Sequence, residues 1–388
     1  MNGAQAMVKC LENEGVEMVF GYPGVAICPF YDSLLDTDIK SVLIRTEQNA
    51  AHAASGLARV TGKVGVCAVT SGPGATNLIT GIATAFADSI PLVCITGQVN
   101  SELIGSDVFQ EADITGAAES FVKYSYLVKN AEDIPQIFKE AFYIANTGRK
   151  GPVLIDVPID VQNAPVRKFK YPDSVSMRTY KPTVKGHIVQ IKKVIAELEK
   201  AKRPVICAGG GVLLGDAQKL LREFSPGFTC GAKARFWPSA ASGTTEQPDR
   251  AGSAPTRRPG QPVFIRKNMV LVHMDVDPAE IGKNAGPTIP LVGDAKHIFS
   301  DMLEQELDGD YSEWVVCLQE YEKTMADTRK PDPAFVDPAE FVRRLSDKME
   351  QDAVYVADVG QNQIWSCRNC KIREGSFLTS GGMGTMGY

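Results

Sequence analysis

The chain has 388 residues, enough for two or three domains with sizeable cores. Its 41 basic and 46 acidic side chains leave a formal net charge of −5, and no long basic run offers the electrostatic footprint of a nucleic-acid binder. No apolar stretch reaches the roughly 20 uninterrupted residues that a membrane helix needs. The opening MNGAQAMVKCLENEG patterns as an amphipathic helix and lacks a signal-peptide layout, which predicts a cytoplasmic protein; a processed organellar chain would look the same. Nine cysteines, an odd number, fall in apolar contexts such as GVCAV, PLVCITG and PVICAGG and read as small core residues in a reducing compartment. Cys367 and Cys370 form a single CxxC without the second pair that a structural zinc site would need.

Residues 1–165 alternate helix and strand. The apolar periods predict helices over 3–14, 25–35, 49–61, 75–89 and 134–146, and strands over 18–20, 42–44, 64–69, 92–96 and 152–157. Alternation of this kind predicts an α/β fold, a parallel sheet flanked by helices on both faces. Residues 166–185, rich in Lys, Tyr, Pro and Ser, read as a surface linker.

A second α/β domain spans 186–327, with a helix over 186–200, a strand over 204–208, the turn Gly209-Gly210-Gly211 and a helix over 215–224. The glycine triplet could cradle a diphosphate or simply make a tight connection. Residues 224–262 are dense in Ser, Thr, Pro, Gly and Arg and show no apolar period. They are either a loop without structure or the product of a reading-frame error or rearrangement. The second reading is favoured, because so long a structureless loop is rare inside a compact domain. Pattern resumes with strands over 269–274 and 290–292 and a helix from Ala295. After a linker over 328–338, a third α/β domain opens over 339–388, with a helix over 339–348, a strand over 354–356 and a turn over 358–363.

Residues 42–63, VLIRTEQNAAHAASGLARVTGK, hold a short apolar strand, a polar hinge and an alanine-rich helix. Glu47 therefore falls at the carboxyl end of a strand and the start of a helix, where open α/β sheets gather ligand chemistry. An acid there also has a plain role, since it favours the helix dipole.

Around Glu47 stand VFGYPGVA (19–26), VTSGPGATNLITGIATAFADSIPLVCITGQV (69–99) and SDVFQEADITG (106–116). Together these motifs closely resemble the pyrimidine-binding domain of thiamin-diphosphate enzymes, specifically the catalytic large subunits of the acetolactate (acetohydroxyacid) synthase family. The resemblance covers residues 1 to about 166 and resumes in LVHMDVDPAEIGKN (271–284) and in roughly the last thirty residues. It implies a three-domain thiamin-diphosphate architecture, with the third domain cut short. The expected middle-domain elements of the family are absent from 224–262.

The resemblance also implies roles. Glu47 would hydrogen-bond the aminopyrimidine, its acidity weakened in a dry pocket, and so favour loss of the cofactor's C2 proton. Tyr22, Pro23 and Gly24 match the loop nearest the thiazolium and substrate, with Gly24 allowing close backbone approach. Pro73 and Asn77 match contacts to the pyrimidine; Asn77 could equally be a polar residue near a helix start. Gln110 would hydrogen-bond the reacting oxygens and Phe109 would shape the pocket. Lys123 falls near a family lysine on the substrate path, although a solvated lysine explains it as well. Gly360, Gln361 and Asn362 resemble the turn that holds the diphosphate, with Asn362, which keeps a donor, where histidine is usual. Gly384 and Met386 match contacts that hold the cofactor bent.

Arg149, Asp275 and Asp294 match contacts to FAD, whose other binding segment would fall in the aberrant 224–262. The family's Mg²⁺ would be gripped by a motif beyond Tyr388, so no metal ligand is assigned within the chain. The implied reaction condenses pyruvate, with loss of CO₂, with a second 2-ketoacid, on the way to valine, leucine and isoleucine. The implied assembly is a homodimer or tetramer with a small regulatory subunit, and neither nucleic acid nor membrane is a partner. Two alternatives stay open. One is a sister carboligase or decarboxylase of the sulfoacetaldehyde acetyltransferase or oxalyl-CoA decarboxylase type. The other is an inert fragment that lacks the metal motif.

Overall fold

The computed structural model describes residues 1–225, 270–283, 287–324 and 334–388. The stretch 224–262 therefore lies, from residue 226 onward, outside the described residues. The chain divides into two compact units: Met1–Lys181 with Met349–Gln363 and Ile372–Tyr388, and Pro182–Lys348 with Ile364–Lys371.

In the first unit the chain runs α1 (Gly3–Asn13), β1 (Met18–Tyr22), α2 (Cys28–Leu34), β2 (Lys40–Leu43), α3 (Glu47–Thr61), β3 (Gly65–Val69), α4 (Pro73–Asn77) and α5 (Ile79–Ala87). It continues through β4 (Leu92–Gln98), α6 (Ile114–Ala118), β5 (Tyr124–Leu127), α7 (Ile134–Asn146), β6 (Pro152–Pro158) and α8 (Ile159–Asn163). The six strands form one sheet in the order β2-β1-β3-β4-β6-β5. Every neighbouring pair is parallel.

Successive side chains of a strand face opposite ways, and here both faces are covered. Val66, Ala68, Val93, Ile95, Val153 and Ile155 enter a core shared with α1, α2 and α7. Cys67, Val69, Leu92, Cys94 and Leu154 enter a second core with the alanines of α3 and with α5. This double burial is why the central strands read as unbroken apolar runs. The small side chains of α3 let α5 approach closely: a Cβ placed on Gly81 would lie 2.5 Å from the Cβ of Ala51.

The predicted helix over 75–89 is instead two, α4 and α5, because Leu78 bonds back three residues to Ala75 rather than four. Edge strand β5 and helices α6 and α8 lie outside the predicted elements. Cys10, Cys67 and Cys94 are buried free thiols, as expected of core cysteines, whereas Cys28 and Cys207 are exposed.

The second unit holds α9 (Ile188–Lys200), α10 (Gly210–Leu214), α11 (Gln218–Phe224), β7 (Val272–Asp275), β8 (Ile289–Val292), α12 (Ala295–Leu303), α13 (Ser312–Thr324) and α14 (Pro338–Asp347). Strands β7 and β8 pair in parallel. Ile191, Leu221, Phe224, Leu291, Ile298 and Phe299 gather into its core. The predicted strand over 204–208 makes no ladder among the described residues; its Pro204 carbonyl accepts a hydrogen bond from the Trp314 indole at 3.0 Å.

Beyond α14 come β9 (Val354–Val356), α15 (Gln361–Asn369) and β10 (Ser376–Leu378), with β9 and β10 parallel. Residues 349–363 and 372–388 group with the first unit. The loop after β10 accounts for this, since it is tied to α3 and α5. Asp88 accepts the Gly382 amide at 2.6 Å and the Gly381 amide at 3.1 Å, and Arg59, paired with Asp88, donates to the Thr379 carbonyl at 2.9 Å. The Thr84 and Thr385 hydroxyls meet at 2.7 Å.

Candidate active site

In a doubly wound sheet ligands settle outside the carboxyl ends of the strands, where the strand order reverses. That point lies here at β1, flanked by β2 on one side and β3 on the other. Tyr22, Pro23 and Gly24 leave β1, Glu47 follows β2, and Thr70 to Asn77 follow β3. Next in chain order, β4 ends at Gln98 and feeds the loop that carries Phe109 and Gln110. The sequence-predicted residues of the first domain thus emerge from adjacent strands at one edge.

Their contacts draw them together. Glu47 opens α3 in the first turn, half-buried, and its Oε2 accepts a 2.9 Å hydrogen bond from the Asn77 amide. Oε1 lies 3.4 Å from where a Cβ on Gly74 would stand and has no hydrogen-bond partner among the described residues. Pro73 takes the first helical position of α4, where its lacking N–H is no loss, and so directs the turn that brings Asn77 to Glu47. A Cβ on Gly24 would lie 2.6 Å from carbons of Thr70, and one on Gly74 2.7 Å, so both turns close on that threonine. The Thr70 hydroxyl is buried there without a hydrogen-bond partner among the described residues. In the sequence this residue carries no distinguishing signal, because one Thr at a strand end is ordinary.

The Gln110 loop lies against the same turns. Gly72, at φ 59° and ψ −122°, would place a Cβ 2.7 Å from the Gln110 carbonyl oxygen. Only glycine suits both that conformation and that contact. Gln110 itself sits at φ 59°, the left-handed region that a non-glycine residue seldom occupies and that clusters at functional sites. Phe109 is 87% exposed, so its ring is free to meet a ligand. Glu111 closes the loop on itself by accepting the Gly105 and Val108 amides, and the Gly105 bond foremost holds its carboxyl below the usual range.

The later segments converge on their own edge. Asp358, just past β9, accepts the Val359 amide at 2.7 Å and the Gly387 amide at 3.0 Å. Its carboxylate thereby ties the start of α15 to the loop of Gly384 and Met386; of the predicted turn, Gly360 precedes that helix and Gln361 and Asn362 form its first two residues. Asn362 donates to the Asp358 carbonyl at 3.0 Å, Gly384 has φ 66°, and Met386 is exposed. The Tyr388 ring stands edge-on to His52 of α3, centroids 5.2 Å apart.

Arg149 donates from Nε to the Ser89 hydroxyl at 3.0 Å in the first unit. In the second unit Asp275 ends β7 opposite Val292, and Asp294 follows β8. Both acids stand at the carboxyl edge of that small sheet, Asp275 accepting the Asp277 amide and Asp294 capping α12 through Lys296, each at 2.9 Å. Lys123 differs from a free lysine on an access path: its ammonium donates to the Ile144 carbonyl, to the Thr147 carbonyl at 2.7 Å and to the Tyr180 hydroxyl at 2.8 Å, closing the end of α7. Among the described residues no group of three His, Cys, Asp or Glu side chains could hold a metal ion.

A carboxylate with one oxygen open, a buried unpartnered hydroxyl and glycine turns that bring backbone close fit the pyrimidine end of a thiamin cofactor. The family of thiamine pyrophosphate enzymes, through its N-terminal TPP binding domain, matches residues 1–117. The fold and site therefore define a thiamin-diphosphate enzyme. The probable acetolactate synthase large subunit of Methanocaldococcus jannaschii is 41% identical over an alignment that takes in 100% of this chain and 72% of the relative. The acetolactate synthase large subunit of Corynebacterium glutamicum is 40% identical over 100% of this chain and 67% of its own length. That of Buchnera aphidicola from Acyrthosiphon pisum is 37% identical, with 100% and 73% covered. The chain belongs to the acetolactate synthase large-subunit family.

Proposed function

We propose that the chain joins pyruvate to a second 2-ketoacid with loss of CO₂, and that Glu47 is its activating acid. The observation that carries this reading is the Glu47–Asn77 bond at the switch point of the sheet, which leaves Oε1 open to a ligand nitrogen. Thiamin diphosphate, when bound, would supply a nucleophilic carbon for addition to the carbonyl of the 2-ketoacid. Glu47 would hold a proton against the pyrimidine nitrogen, Tyr22, Pro23 and Gly24 would offer backbone to the thiazolium side, and Pro73 would pack against the pyrimidine. Gln110, with its side chain on a strained residue, would donate to the ketoacid oxygens, and Phe109 would wall the pocket. Gly384 and Met386 would support the cofactor from the loop anchored on Asp88, with Gly360, Gln361 and Asn362 beside the diphosphate.

Mg²⁺ belongs to the proposal as a cofactor that oxygen ligands would hold. The described residues offer no ligand set, so no step is assigned to it. For FAD, Asp275 and Asp294 suit ribose hydroxyls by their place at strand ends. A small regulatory subunit and self-association are proposed from the large-subunit family. The test offers the purified protein pyruvate, sulfoacetaldehyde and oxalyl-CoA separately, with thiamin diphosphate and Mg²⁺. Acetolactate from pyruvate alone is expected; turnover of either rival substrate in its place would overturn the assignment.

A further inference from the structure

Two of the most buried polar side chains in the first unit sit in the apolar strands VLIDVP and CITGQV, and none of their hydrogen bonds among the described residues goes to a proposed cofactor-binding residue. Asp156 of β6 is 1% exposed and Gln98 at the end of β4 is 3% exposed. The strands pair directly, Thr96 opposite Asp156. The Asp156 carboxyl accepts the Thr96 hydroxyl on Oδ1 at 2.6 Å and the Gln98 amide on Oδ2 at 3.0 Å. The same Gln98 amide nitrogen donates to the Ala112 carbonyl at 2.9 Å, and the Gln98 carbonyl oxygen accepts the Val99 amide at 2.9 Å.

Gln98 is thus saturated: two donors and an acceptor are all engaged, so its amide cannot turn over without losing bonds. Ala112 stands two residues beyond Gln110. Its carbonyl is where the loop that carries Phe109 and Gln110 returns to the sheet. At its other side that loop leans on Gly72 and is closed by Glu111. We propose that Asp156 is a positioning residue, acting through Gln98 on the Ala112 carbonyl, which fixes the Gln110 loop against the site. The inference rests on the reading of Gln110 as a substrate contact.

A buried acid in a sheet core is costly to keep, and no stability argument requires one there, since apolar residues of similar size pack as well. A role in holding the loop explains why both a carboxyl and an amide occupy core positions in adjacent strands.

Amide hydrogen exchange on the whole chain, without cofactor, reads the bracket directly. Asp156→Asn and Gln98→Leu should each speed exchange of the loop amides 105–111 by about tenfold, the weight of one lost hydrogen bond, while β3 keeps its protection. Thr96→Val, which removes one bond to Asp156 and leaves Gln98 in place, should do less. Unchanged exchange in the loop, or a rise spread evenly over the sheet, would overturn the proposal.

Turnover separates it from the reading it rests on. Gln98→Leu should lower kcat about tenfold with little change in the thiamin diphosphate Kd. Added to Gln110→Ala it should cost nothing more, because both remove the same function. If the two losses multiply, Asp156 and Gln98 act on stability alone and the positioning role fails. If Gln110→Ala turns over normally, the role of Gln110 fails instead, and the exchange result still decides whether the bracket holds the loop.

Discussion

Asn77, at the end of α4, donates a 2.9 Å hydrogen bond to Oε2 of Glu47, the first residue of α3. The bond ties the turn after β3 to the hinge after β2 and fixes which carboxylate oxygen stays open. A typical intramolecular hydrogen bond contributes about 0.5–1.5 kcal/mol. Asn77→Ala should therefore weaken thiamin diphosphate binding and lower kcat/KM by up to about tenfold. Asn77→Asp should act more severely, since it sets a second carboxylate against Glu47. Calorimetric titration with steady-state rates checks both.

Gly72→Ala tests the contact between the β3 turn and the Gln110 loop. The new Cβ would meet the Gln110 carbonyl oxygen at 2.7 Å and its Cα at 2.9 Å, in a backbone conformation with φ 59°. Overpacking and backbone strain together should cost about 1–3 kcal/mol of stability. Denaturant unfolding should show a lower midpoint at unchanged slope, with turnover reduced further than stability alone explains.

The two regions differ in how far the sequence foretells them. The helix over Ile134–Asn146 occurs where the apolar pattern puts it, because it is a strongly periodic run with clear ends, and the short β-branched VYV forms the strand Val354–Val356. Strand β5, YSYL, escaped because edge position leaves Tyr124 exposed and breaks the apolar run. The gathering of Glu47, Asn77, Gly72 and Gln110 is legible only as motifs in a row. Their contacts arise from parallel pairing of strands distant in sequence, which no local period encodes. Asp156 and Gln98 did leave a signal, as polar residues inside otherwise apolar strands, but a polar core residue does not name its partner.

Burial pushes the Asp156 carboxyl up to about 7, against the Thr96 and Gln98 hydrogen bonds, which favour the anion. Between its ordinary 3.8 and about 7 the folded chain holds a proton that the unfolded chain has released. The unfolded state then binds fewer protons, so this group's contribution to stability falls as pH rises through that window and levels off above it. Urea unfolding at a series of pH values should show this slope in the native protein. In Asp156→Asn, the difference between the two proteins should shift across the same window and stay flat above it.

Arg59 and Asp88 form an ion pair whose side chains are 12% and 4% exposed, and Asp88 also receives the amides of Gly381 and Gly382. Removing one partner of a buried pair typically costs about 3–5 kcal/mol, because the other charge is left uncompensated. Asp88→Ala should therefore release the loop of Gly384 and Met386, seen as faster proteolysis within 379–388 and a lower melting temperature. Arg59→Ala in the Asp88→Ala background should add little, by a double-mutant cycle.

Hydrogen–deuterium exchange at C2 of bound thiamin diphosphate, followed by NMR at saturating cofactor and Mg²⁺, tests the role of Glu47 apart from any substrate. The native protein should speed C2 exchange over free cofactor, and Glu47→Gln should lose about 10²–10⁴ of that acceleration, the usual weight of a positioned acid–base group. Equal exchange rates in the native and Glu47→Gln proteins, both with cofactor bound, would contradict the account.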